Sequence, residues 1–308
     1  MNIRVAVCIV FYDDLKHVER LVLSLKNLNY KNLKFFFTDN SQDNKHVELF
    51  QNSLPEAIFI KSEQNQGFAG GNNLLVREAK KLFCEAFFIL NPDMAPEPDC
   101  LAKMTEIMAS DNRIYAVGPV ICHGYTEKDP VIQLAGVQQN FITQKKTHLY
   151  SGIKLNDIRN NKPFFTDSLN GGALLIKTDD LIDKDFLFEE KYFMYNDETD
   201  LFYRAKINNK LAAVVPSAVI FHYHDWSKKN NTGYHRMYYY MMRNKFLFWK
   251  KYKMRAPFLK GLLKEIFLFP VIFSFCYRTA GLRMIYFYYL GVLHGIKNIS
   301  GRINLDFK

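Results

Sequence analysis

Several side chains with oxygen or nitrogen atoms that could bind ligands stand where an apolar run of the sequence ends. The clearest case is Asn91-Pro92-Asp93, which follows the apolar run Ala86 to Leu90. A divalent cation bound to a diphosphate needs only one or two protein carboxylates, because phosphate oxygens and water complete its coordination shell. The spacing of Asn91 and Asp93 would suit such an ion, although an isolated Asn-Pro sequence more often marks a turn.

An acidic cluster could supply a general base. Asp197, Glu198 and Asp200 fall within four residues of one another in the stretch YFMYNDETDLFYR. Carboxylates that crowd together beside aromatic rings raise the pKa of at least one of them, which suits proton abstraction. Acidic residues also favour helix N-termini for electrostatic reasons alone. We expect Glu198 to lie just before the first turn of a helix, with its side chain directed toward the edge of a sheet.

His222 ends another strand-like run, which begins at Pro216, and His224 follows two residues later. Imidazole is a common metal ligand, so His222 is a candidate ligand, although a lone histidine is more often structural. Gly171 and Gly172 precede a further strand-like run. Two glycines at this point could allow close packing or clear room for a sugar.

Alternating strand and helix patterns over residues 1–120 predict the elements that position these side chains. Continuous apolar runs predict strands buried on both faces, and apolar residues at helical spacing predict helices between them. The order is typical of a doubly wound, largely parallel α/β sheet, in which ligands bind beyond the carboxyl ends of the strands. The predicted strands are 5–10, 34–38, 57–60 and 86–90, and the predicted helices are 15–28, 72–83 and 98–108.

Two further polar clusters follow predicted strands of this sheet. Asp39-Asn40-Ser41 comes after 34–38 and is by itself typical of a strand-ending turn. The stretch Asn65 to Asn73 comes after 57–60 and contains three glycines, which permit close approach of the backbone to a ligand. Its spacing is neither that of a P-loop nor that of a dinucleotide fingerprint. Together with Asn91-Pro92-Asp93, the clusters predict a nucleotide pocket at one sheet edge.

Composition divides the chain into two unlike parts. Residues 226–308 carry a net charge of +14 and 20 of the 47 aromatic residues, whereas the preceding 225 residues carry −4. The five cysteines are scattered and never in CxxC spacing, which disfavours a disulfide framework or a zinc site and favours a reducing compartment. The first apolar run, Val5 to Tyr12, favours a strand over an export signal. We therefore divide the chain into domains at 1–225 and 226–308.

The basic, aromatic tail at 226–308 admits three interpretations. Its uncharged runs at 266–277 and 284–296 are shorter than the roughly 20 apolar residues that a membrane-spanning helix needs. Mixed aromatic, aliphatic and basic residues are typical of helices that lie in an anionic membrane interface. An interface between copies of the chain could bury the same aromatics. A nucleic-acid surface is disfavoured, because no motif of a nucleic-acid-binding fold is present.

Taken together and in order, eight segments resemble the family 2 glycosyltransferases of GT-A fold, and within them the bacterial rhamnosyltransferases. The segments are VAVCIVFYDD, FFFTDNSQD, NQGFAGGNN, FILNPD, LNGGALLIK, YFMYNDETDLFYR, VPSAVIFHYHDWS and YYYMMRNKFLF. The resemblance covers residues 3–250. It implies a nucleotide-binding half at 1–120, an acceptor and catalytic half at 121–225, and a helical extension at 226–308. The implied reaction is inverting sugar transfer from a nucleoside diphosphate sugar with Mg²⁺ or Mn²⁺.

The resemblance also implies roles for individual residues, with two departures from the family pattern. The family's Asp-x-Asp metal motif is Asn-Pro-Asp here, so Asp93 would carry most of the ion. The catalytic aspartate of the family is Glu198 here, one methylene longer. The implied residues are, for catalysis, Glu198 and Asp197; for the nucleotide and donor, Asp39, Asn40, Asn65, Gly67, Phe68, Asn72, Asn91 and Asp93; for the metal, Asp93 and His222; and for the acceptor, the sugar or the local structure, Gly171, Gly172, Asp200 and Arg204.

By the same resemblance, the donor is dTDP-rhamnose, or else UDP-linked galactofuranose, glucose or an N-acetyl sugar. The acceptor is a cell-surface polysaccharide or a lipid-linked glycan on polyprenyl diphosphate. Such an acceptor would place the protein in the cytoplasm, peripheral on the inner face of the cell membrane.

Two other classes of protein remain open. A sugar-phosphate nucleotidylyltransferase would carry a glycine-rich loop after the first strand, where FYDDLKHVER has no glycine. A non-catalytic membrane-surface scaffold would not need Asp93, Glu198 and His222 at three separate positions of the sheet edge.

Overall fold

The computed structural model describes residues 3–12, 16–41, 45–124, 130–178, 187–223, 231–279 and 281–307. Within these ranges the helices are α1 (Val18–Lys26), α2 (Lys45–Ser53), α3 (Gly67–Lys81), α4 (Cys100–Ser110), α5 (Asp197–Ile207), α6 (Asn231–Lys251), α7 (Arg255–Thr279) and α8 (Gly281–Ile296). The strands are β1 (Val5–Phe11), β2 (Leu33–Asp39), β3 (Ile58–Phe59), β4 (Ala86–Leu90), β5 (Met94–Pro96), β6 (Ile114–His123), β7 (Ile132–Leu134), β8 (Val137–Asn140), β9 (Lys145–His148), β10 (Phe164–Thr166), β11 (Ala173–Lys177) and β12 (Leu211–His222).

One large sheet forms the centre of the described chain. Its strand order is β10-β12-β6-β11-β4-β1-β2-β3, with β5 paired to β12 and β7 paired to β6. Strand β1 runs parallel to β2 and β4, and β12 runs parallel to β6. Strand β11 lies antiparallel between β4 and β6. The prediction of a doubly wound, largely parallel α/β sheet is confirmed.

The central strands are continuous apolar runs because the sheet is buried on both faces. Along β1, Ala6 and Cys8 belong to one hydrophobic cluster, whereas Val5 and Val7 belong to the other. Residues of α3, α5 and α6 join the first cluster, and residues of α1 and α4 join the second. Helices therefore cover both faces and leave the carboxyl ends of the parallel strands at one edge.

Two predicted boundaries differ from those of the structure by five residues. Helix α3 begins at Gly67 rather than at Asn72, so the glycine-rich stretch forms the first turns of the helix. Strand β12 begins at Leu211 rather than at Pro216. The pairing of β12 with β6 shifts register between Val215 and Val219, and a strand tolerates proline at such an irregularity because no ladder N–H is needed there.

The C-terminal helices pack against the α/β part of the molecule. The α6 residues Phe246, Phe248 and Trp249 are buried in the first hydrophobic cluster of the sheet. Helix α8 packs along α6. Among the helices of the described chain, none has the length and apolarity to cross a membrane. The predicted domain boundary at residue 225 lies outside the described residues, so the division stays a prediction.

Candidate active site

Asp93 and His222 meet at the carboxyl edge of the sheet. After β4 the chain enters β5, which pairs antiparallel with the end of β12 so that Met94 lies opposite His222. This pairing puts Nε2 of His222 3.2 Å from Oδ2 of Asp93. The structure therefore brings together the two residues that the sequence assigns to a metal. His224 lies outside the described residues.

The surroundings of His222 fit a cation shared with Asp93. Nδ1 of His222 lies 2.7 Å from Oε1 of Gln133 on β7. When Nδ1 donates to that oxygen, Nε2 keeps its lone pair and faces a carboxylate, an arrangement that a proton or a metal ion between them stabilises. In the described part of the chain no group of three potential His, Cys, Asp or Glu ligands occurs. Two protein ligands nevertheless suit Mg²⁺ or Mn²⁺ when phosphates complete the shell.

The two glycines before β11 have different surroundings. A Cβ on Gly172 would lie 2.6 Å from Nδ2 of Asn91, so the absence of a side chain lets Asn91 pack closely. The N–H of Asn91 donates to the carbonyl oxygen of Gly172 at 2.8 Å. A Cβ on Gly171 would lie 3.5 Å from Cζ of Phe68 and 3.9 Å from Cβ of Glu198. Gly171 thus lies between Phe68, which was predicted to bind the nucleotide, and the candidate base Glu198.

The polar cluster after β2 is tied to the start of α3. Asp39 is buried, and its Oδ1 accepts from the backbone N and from Oγ of Ser41 at 2.8 and 2.6 Å. Nδ2 of Asn40 donates to the carbonyl oxygen of Gly67 at 3.0 Å, and its Oδ1 accepts from the N–H of Gln66 at 3.2 Å. The turn expected here is present, and it brings two of the predicted nucleotide-binding segments together.

The first turn of α3 needs glycine at position 67. Gly67 has a φ of +69°, and an added Cβ would lie 2.2 Å from the carbonyl oxygen of Phe193. Oδ1 of Asn65 accepts from the N–H of Gly67 at 2.8 Å, which closes the preceding turn. Asn72 is buried within the helix, where its Nδ2 donates to the carbonyl oxygen of Phe68 at 2.9 Å. The nucleotide-binding role predicted for Asn72 stays a prediction.

A cavity of about 240 Å³ opens beside these residues. Its opposite wall comes from the loop before α5, from α6, and from residues 302–305 and Phe307. Phe68 joins the cavity to Gly171 and Glu198. The first wall combines the end of β1 with the segments after β2 and β3 and is formed by Val10, Tyr12, Asn40, Asn65, Gly67 and Phe68.

Glu198 lies in the first turn of α5, one residue inside the helix rather than just before it as expected. Its Oε1 is 2.9 Å from Nζ of Lys146 on β9, and each side chain is 26% exposed. Burial raises the pKa of Glu198, but the charge and the hydrogen bond of Lys146 outweigh burial and hold that pKa below its ordinary value. Glu198 is therefore ionised at neutral pH. Lys146 was not among the site residues predicted from the sequence.

The raised pKa expected in the acidic cluster belongs to Asp197. Asp197 is buried, and its Oδ1 has no hydrogen-bond partner among the described residues. Burial first, and then the charge of Glu198, raises the pKa of Asp197 well above its ordinary value. Of the two adjacent carboxyl groups, Glu198 is thus the ionised one, and it is the better candidate for a base.

Asp200 connects α5 to α6 through a buried polar network. It is fully buried and accepts from Nε of Arg204 at 3.0 Å and from Nζ of Lys251 at 2.8 Å. The hydroxyls of Tyr192 and Tyr252 donate to it at 3.3 and 2.9 Å. These contacts support the structural alternative for Asp200 and Arg204 over sugar binding.

The loop that leads into α5 is held in a strained conformation by α6. Phe193, Tyr195 and Asn196 have φ values of 65°, 63° and 65°, in the left-handed region that disfavours side chains. Nδ2 of Asn244 lies 2.8 to 3.0 Å from three carbonyl oxygens of the segment 192–195. Nη2 of Arg243 lies 2.8 Å from one of them. Arg243 and Asn244 thus position the start of α5, a role that the sequence alone did not assign.

Comparison with known proteins identifies the fold around this site. The family model described as "Glycosyl transferase family 2" matches residues 6–171, more than half of the chain. The chain belongs to glycosyl transferase family 2. The family named by the sequence resemblance is therefore confirmed.

Two curated glycosyltransferases are similar to this family 2 chain over part of their length. The UDP-N-acetylglucosamine–dolichyl-phosphate N-acetylglucosaminyltransferase of Methanococcus voltae is 27% identical over 121 residues, which are 35% of this chain and 48% of that protein. The low-salt glycan biosynthesis hexosyltransferase Agl10 of Haloferax volcanii is 24% identical over 212 residues, 66% of this chain and 62% of that protein. The chain thus matches less than two thirds of the length of either relative.

Solved structures establish the GT-A fold of the family 2 domain. GalNAc-T7 with UDP, GalNAc and Mn²⁺ superposes with a TM-score of 0.60 at 13% identity, over 80% of this chain and 48% of that chain. S. aureus TarS 1–349 superposes with a TM-score of 0.55 at 14% identity, over 96% of this chain and 81% of that chain. The Pyrobaculum calidifontis mannosyltransferase PcManGT with GDP-Man and Mn²⁺ superposes with a TM-score of 0.55 at 15% identity, over 97% of this chain and 76% of that chain.

Proposed function

We propose that the protein is an inverting glycosyltransferase in which Glu198 is the general base. The observation that carries the proposal is the position of ionised Glu198, joined through Gly171 and Phe68 to the cavity beside Asn40 and Asn65. A nucleoside diphosphate sugar bound in that cavity would present its sugar toward Glu198.

The proposed reaction is a single displacement at the anomeric carbon. Glu198 accepts the proton of an acceptor hydroxyl, whose oxygen forms a bond to the anomeric carbon from the face opposite the diphosphate. The bond from that carbon to the diphosphate oxygen breaks, and the nucleoside diphosphate departs. Asp93 and His222 would hold a divalent cation, which when bound would supply positive charge for the diphosphate. Asn244 and Arg243 keep Glu198 in position through the loop before α5.

Glu198→Gln tests the base. A positioned general base contributes about 10²- to 10⁴-fold to a rate, so transfer should fall by that factor. Binding of UDP or dTDP should change little, because the glutamine keeps the shape of the side chain. Release of nucleoside diphosphate from a sugar donor, with acceptor present, measures the transfer rate. Calorimetry measures the binding of UDP or dTDP. Transfer at the wild-type rate would remove Glu198 from the mechanism.

For the donor we propose dTDP-rhamnose, on the resemblance of the eight segments to rhamnosyltransferases. The relatives described above include proteins named for UDP-N-acetylglucosamine and bound to GDP-Man, so the decisive experiment compares a panel of donors. We expect Mg²⁺- or Mn²⁺-dependent release of dTDP from dTDP-rhamnose to exceed release of UDP from UDP-galactofuranose, UDP-glucose and UDP-N-acetylglucosamine. Faster turnover of another donor would show that dTDP-rhamnose is not the preferred donor. Formation of a nucleotide sugar from a sugar phosphate would instead favour the nucleotidylyltransferase alternative.

We further propose that α7 holds the protein on an anionic membrane, where it would meet a polyprenyl-diphosphate-linked glycan acceptor. One side of α7, here called the α7 face, carries apolar side chains that are each more than half exposed. Lys260 and Lys264 are exposed beside them, whereas Glu265, the only acidic residue of α7, is buried and 3.6 Å from Lys245. Such a surface suits an amphipathic helix in an interface. The α7 face consists of Leu259, Leu263, Ile266, Phe267 and Val271.

Vesicle flotation tests this membrane contact. Wild type should float with vesicles of anionic phospholipid and less with neutral ones, and the double change Ile266→Glu, Phe267→Glu should abolish flotation. Leu23→Glu on α1, also exposed, should float like wild type and is the matched control. A wild type that stays unbound, together with a dimer that the double change dissociates, would assign the α7 face to an interface between copies of the chain.

A further inference from the structure

The last residues of the chain form a wall of the nucleotide cavity and are fixed at both ends. The N–H of Gly301 donates to the carbonyl oxygen of Lys191 at 2.8 Å, and Nη1 of Arg243 donates to the carbonyl oxygen of Gly301 at 2.6 Å. At the other end Phe307 is buried, its ring 4.8 Å from that of Phe287. Nδ1 of His235 lies 3.0 Å from the carbonyl oxygen of Phe307. Residues 302–306 are therefore held across the cavity.

The described residues that line this cavity carry a net positive charge. Arg236 of α6 and Arg302 of the terminal segment both line it, and no aspartate or glutamate is among its described lining residues. In the described chain neither guanidinium has a carboxylate partner. Two arginines without counter-charge, beside the segments that the nucleotide would contact, are suited to an anion with several oxygens.

We propose that Arg236 and Arg302 bind the diphosphate of the nucleotide, and that residues 301–307 complete the donor site. The inference rests on the proposed function. It also accounts for a feature of the metal position, where Asp93 is the only carboxylate of the Asn-Pro-Asp motif. A metal ion with few protein ligands is bound weakly by the protein. Two guanidinium groups would add fixed positive charge at the diphosphate.

Calorimetry with UDP, dTDP and the nucleosides uridine and thymidine tests the proposal, because only the first two carry phosphates. Arg302→Gln and Arg236→Gln should each raise the Kd of the nucleoside diphosphates roughly tenfold or more, since each removes charge-assisted hydrogen bonds. Nucleoside binding should stay unchanged. Arg283→Gln on α8, exposed and outside the described lining, is the matched control. Hydrogen exchange at 302–306 should slow when wild type binds dTDP or UDP, a readout that needs no variant.

The outcomes separate the inference from the proposed function. Tight binding of a nucleoside diphosphate by wild type, with an unchanged Kd in the Arg236→Gln, Arg302→Gln double variant and no slowing of exchange at 302–306, would overturn the inference alone. A wild type that binds neither UDP nor dTDP and releases neither from sugar donors would overturn both. A similar loss of nucleoside and nucleoside diphosphate binding in the variants would assign the arginines to structure and overturn the diphosphate contact.

Discussion

At Glu198 the neighbouring lysine decides in which pH range the carboxylate can act as a base. Lys146 lies 2.9 Å away and holds the pKa of Glu198 low against the effect of burial. A low pKa keeps the base ionised over a wide range of pH, at the expense of its proton affinity. The adjacent Asp197 shows the opposite outcome, because burial and the charge of Glu198 outweigh the charge of Lys146 and raise the pKa of that carboxyl group.

Lys146→Met should move the acid limb of the transfer rate to higher pH. The carboxylate loses the cation that lowers its pKa, so Glu198 becomes protonated at a higher pH than in wild type. The pH profile of kcat/KM for nucleoside diphosphate release measures the shift. Lys145→Met, which removes an exposed lysine from the same strand, should leave the limb in place. Coincident profiles for all three proteins would show that Lys146 does not set the ionisation of the base.

Asp197→Asn should flatten the fall of stability with rising pH. Because the folded-state pKa of Asp197 is raised, the native state holds a proton that the unfolded state has released, and stability decreases with pH between the two pKa values by up to about 1.4 kcal/mol per pH unit. Asparagine cannot ionise, so the variant should gain stability relative to wild type between pH 5 and pH 8. Urea unfolding at both pH values measures this difference. The exposed change Asp157→Asn should give none, and an equal result for the two variants would contradict the burial argument.

At the scale of elements, the site depends on the contact between the start of α3 and the loop before α5. The chain adopts three left-handed residues in that loop, and Gly67 meets the carbonyl oxygen of Phe193 where no side chain fits. Asn244 holds the carbonyl oxygens of the loop from α6. Backbone strain is thus retained next to Glu198 because three elements fix it.

Gly67→Ala should lower the free energy of unfolding by more than about 2 kcal/mol. A left-handed φ costs about 1–2 kcal/mol for alanine, and the contact with Phe193 adds an overpacking cost of about 1–3 kcal/mol. Gly152→Ala is the matched control, because Gly152 has a φ of +82° but nothing within 4 Å of an added Cβ. Urea unfolding should show for Gly152→Ala only the cost of placing alanine at a left-handed φ. Equal losses in the two variants would mean that the contact with Phe193 is not tight.

At the scale of the whole molecule, the C-terminal helices are packed onto the α/β part through α6. Helix α6 contributes to the core of the sheet, holds the loop before α5 and lines the cavity that we propose for the nucleotide. Helix α8 approaches α6 so closely that a Cβ on Gly291 would lie 2.4 Å from the carbonyl oxygen of Tyr239. Packing of α8 should therefore affect the site through α6.

Gly291→Ala should destabilise the protein by about 1–3 kcal/mol, because it forces α8 away from α6. In an isolated helix the same change would stabilise, since alanine is favoured over glycine by about 1 kcal/mol. A loss of stability would therefore report the contact between α8 and α6. Leu293→Ala, on an exposed position of the same helix, should change stability by less than about 0.5 kcal/mol. Thermal unfolding with UDP binding measured alongside would show whether the displaced helix weakens the cavity. A stabilised Gly291→Ala would contradict the close approach of the two helices.

The sequence by itself determined the central elements of this protein and the segments at its active edge. Buried parallel strands read as continuous apolar runs, so β1, β2 and β4 and the polar residues after them were predictable from local pattern. The early start of α3 was not, because glycine in a first turn looks like a loop. The position of Pro216 inside β12 was not predictable either, because the register shift in the pairing with β6 accommodates it.

Only the tertiary structure decided which groups act on the candidate site residues. Lys146 acts on Glu198 from 52 residues away, and Gln133 reaches His222 from 89 residues away. Arg302 reaches the cavity from a segment that looked like the end of a basic tail. Contacts of this kind leave no periodic or local signal, since they depend on where separate elements pack. The same reason explains why the raised pKa fell on Asp197: burial and neighbouring charge, rather than residue type, set which carboxyl group ionises.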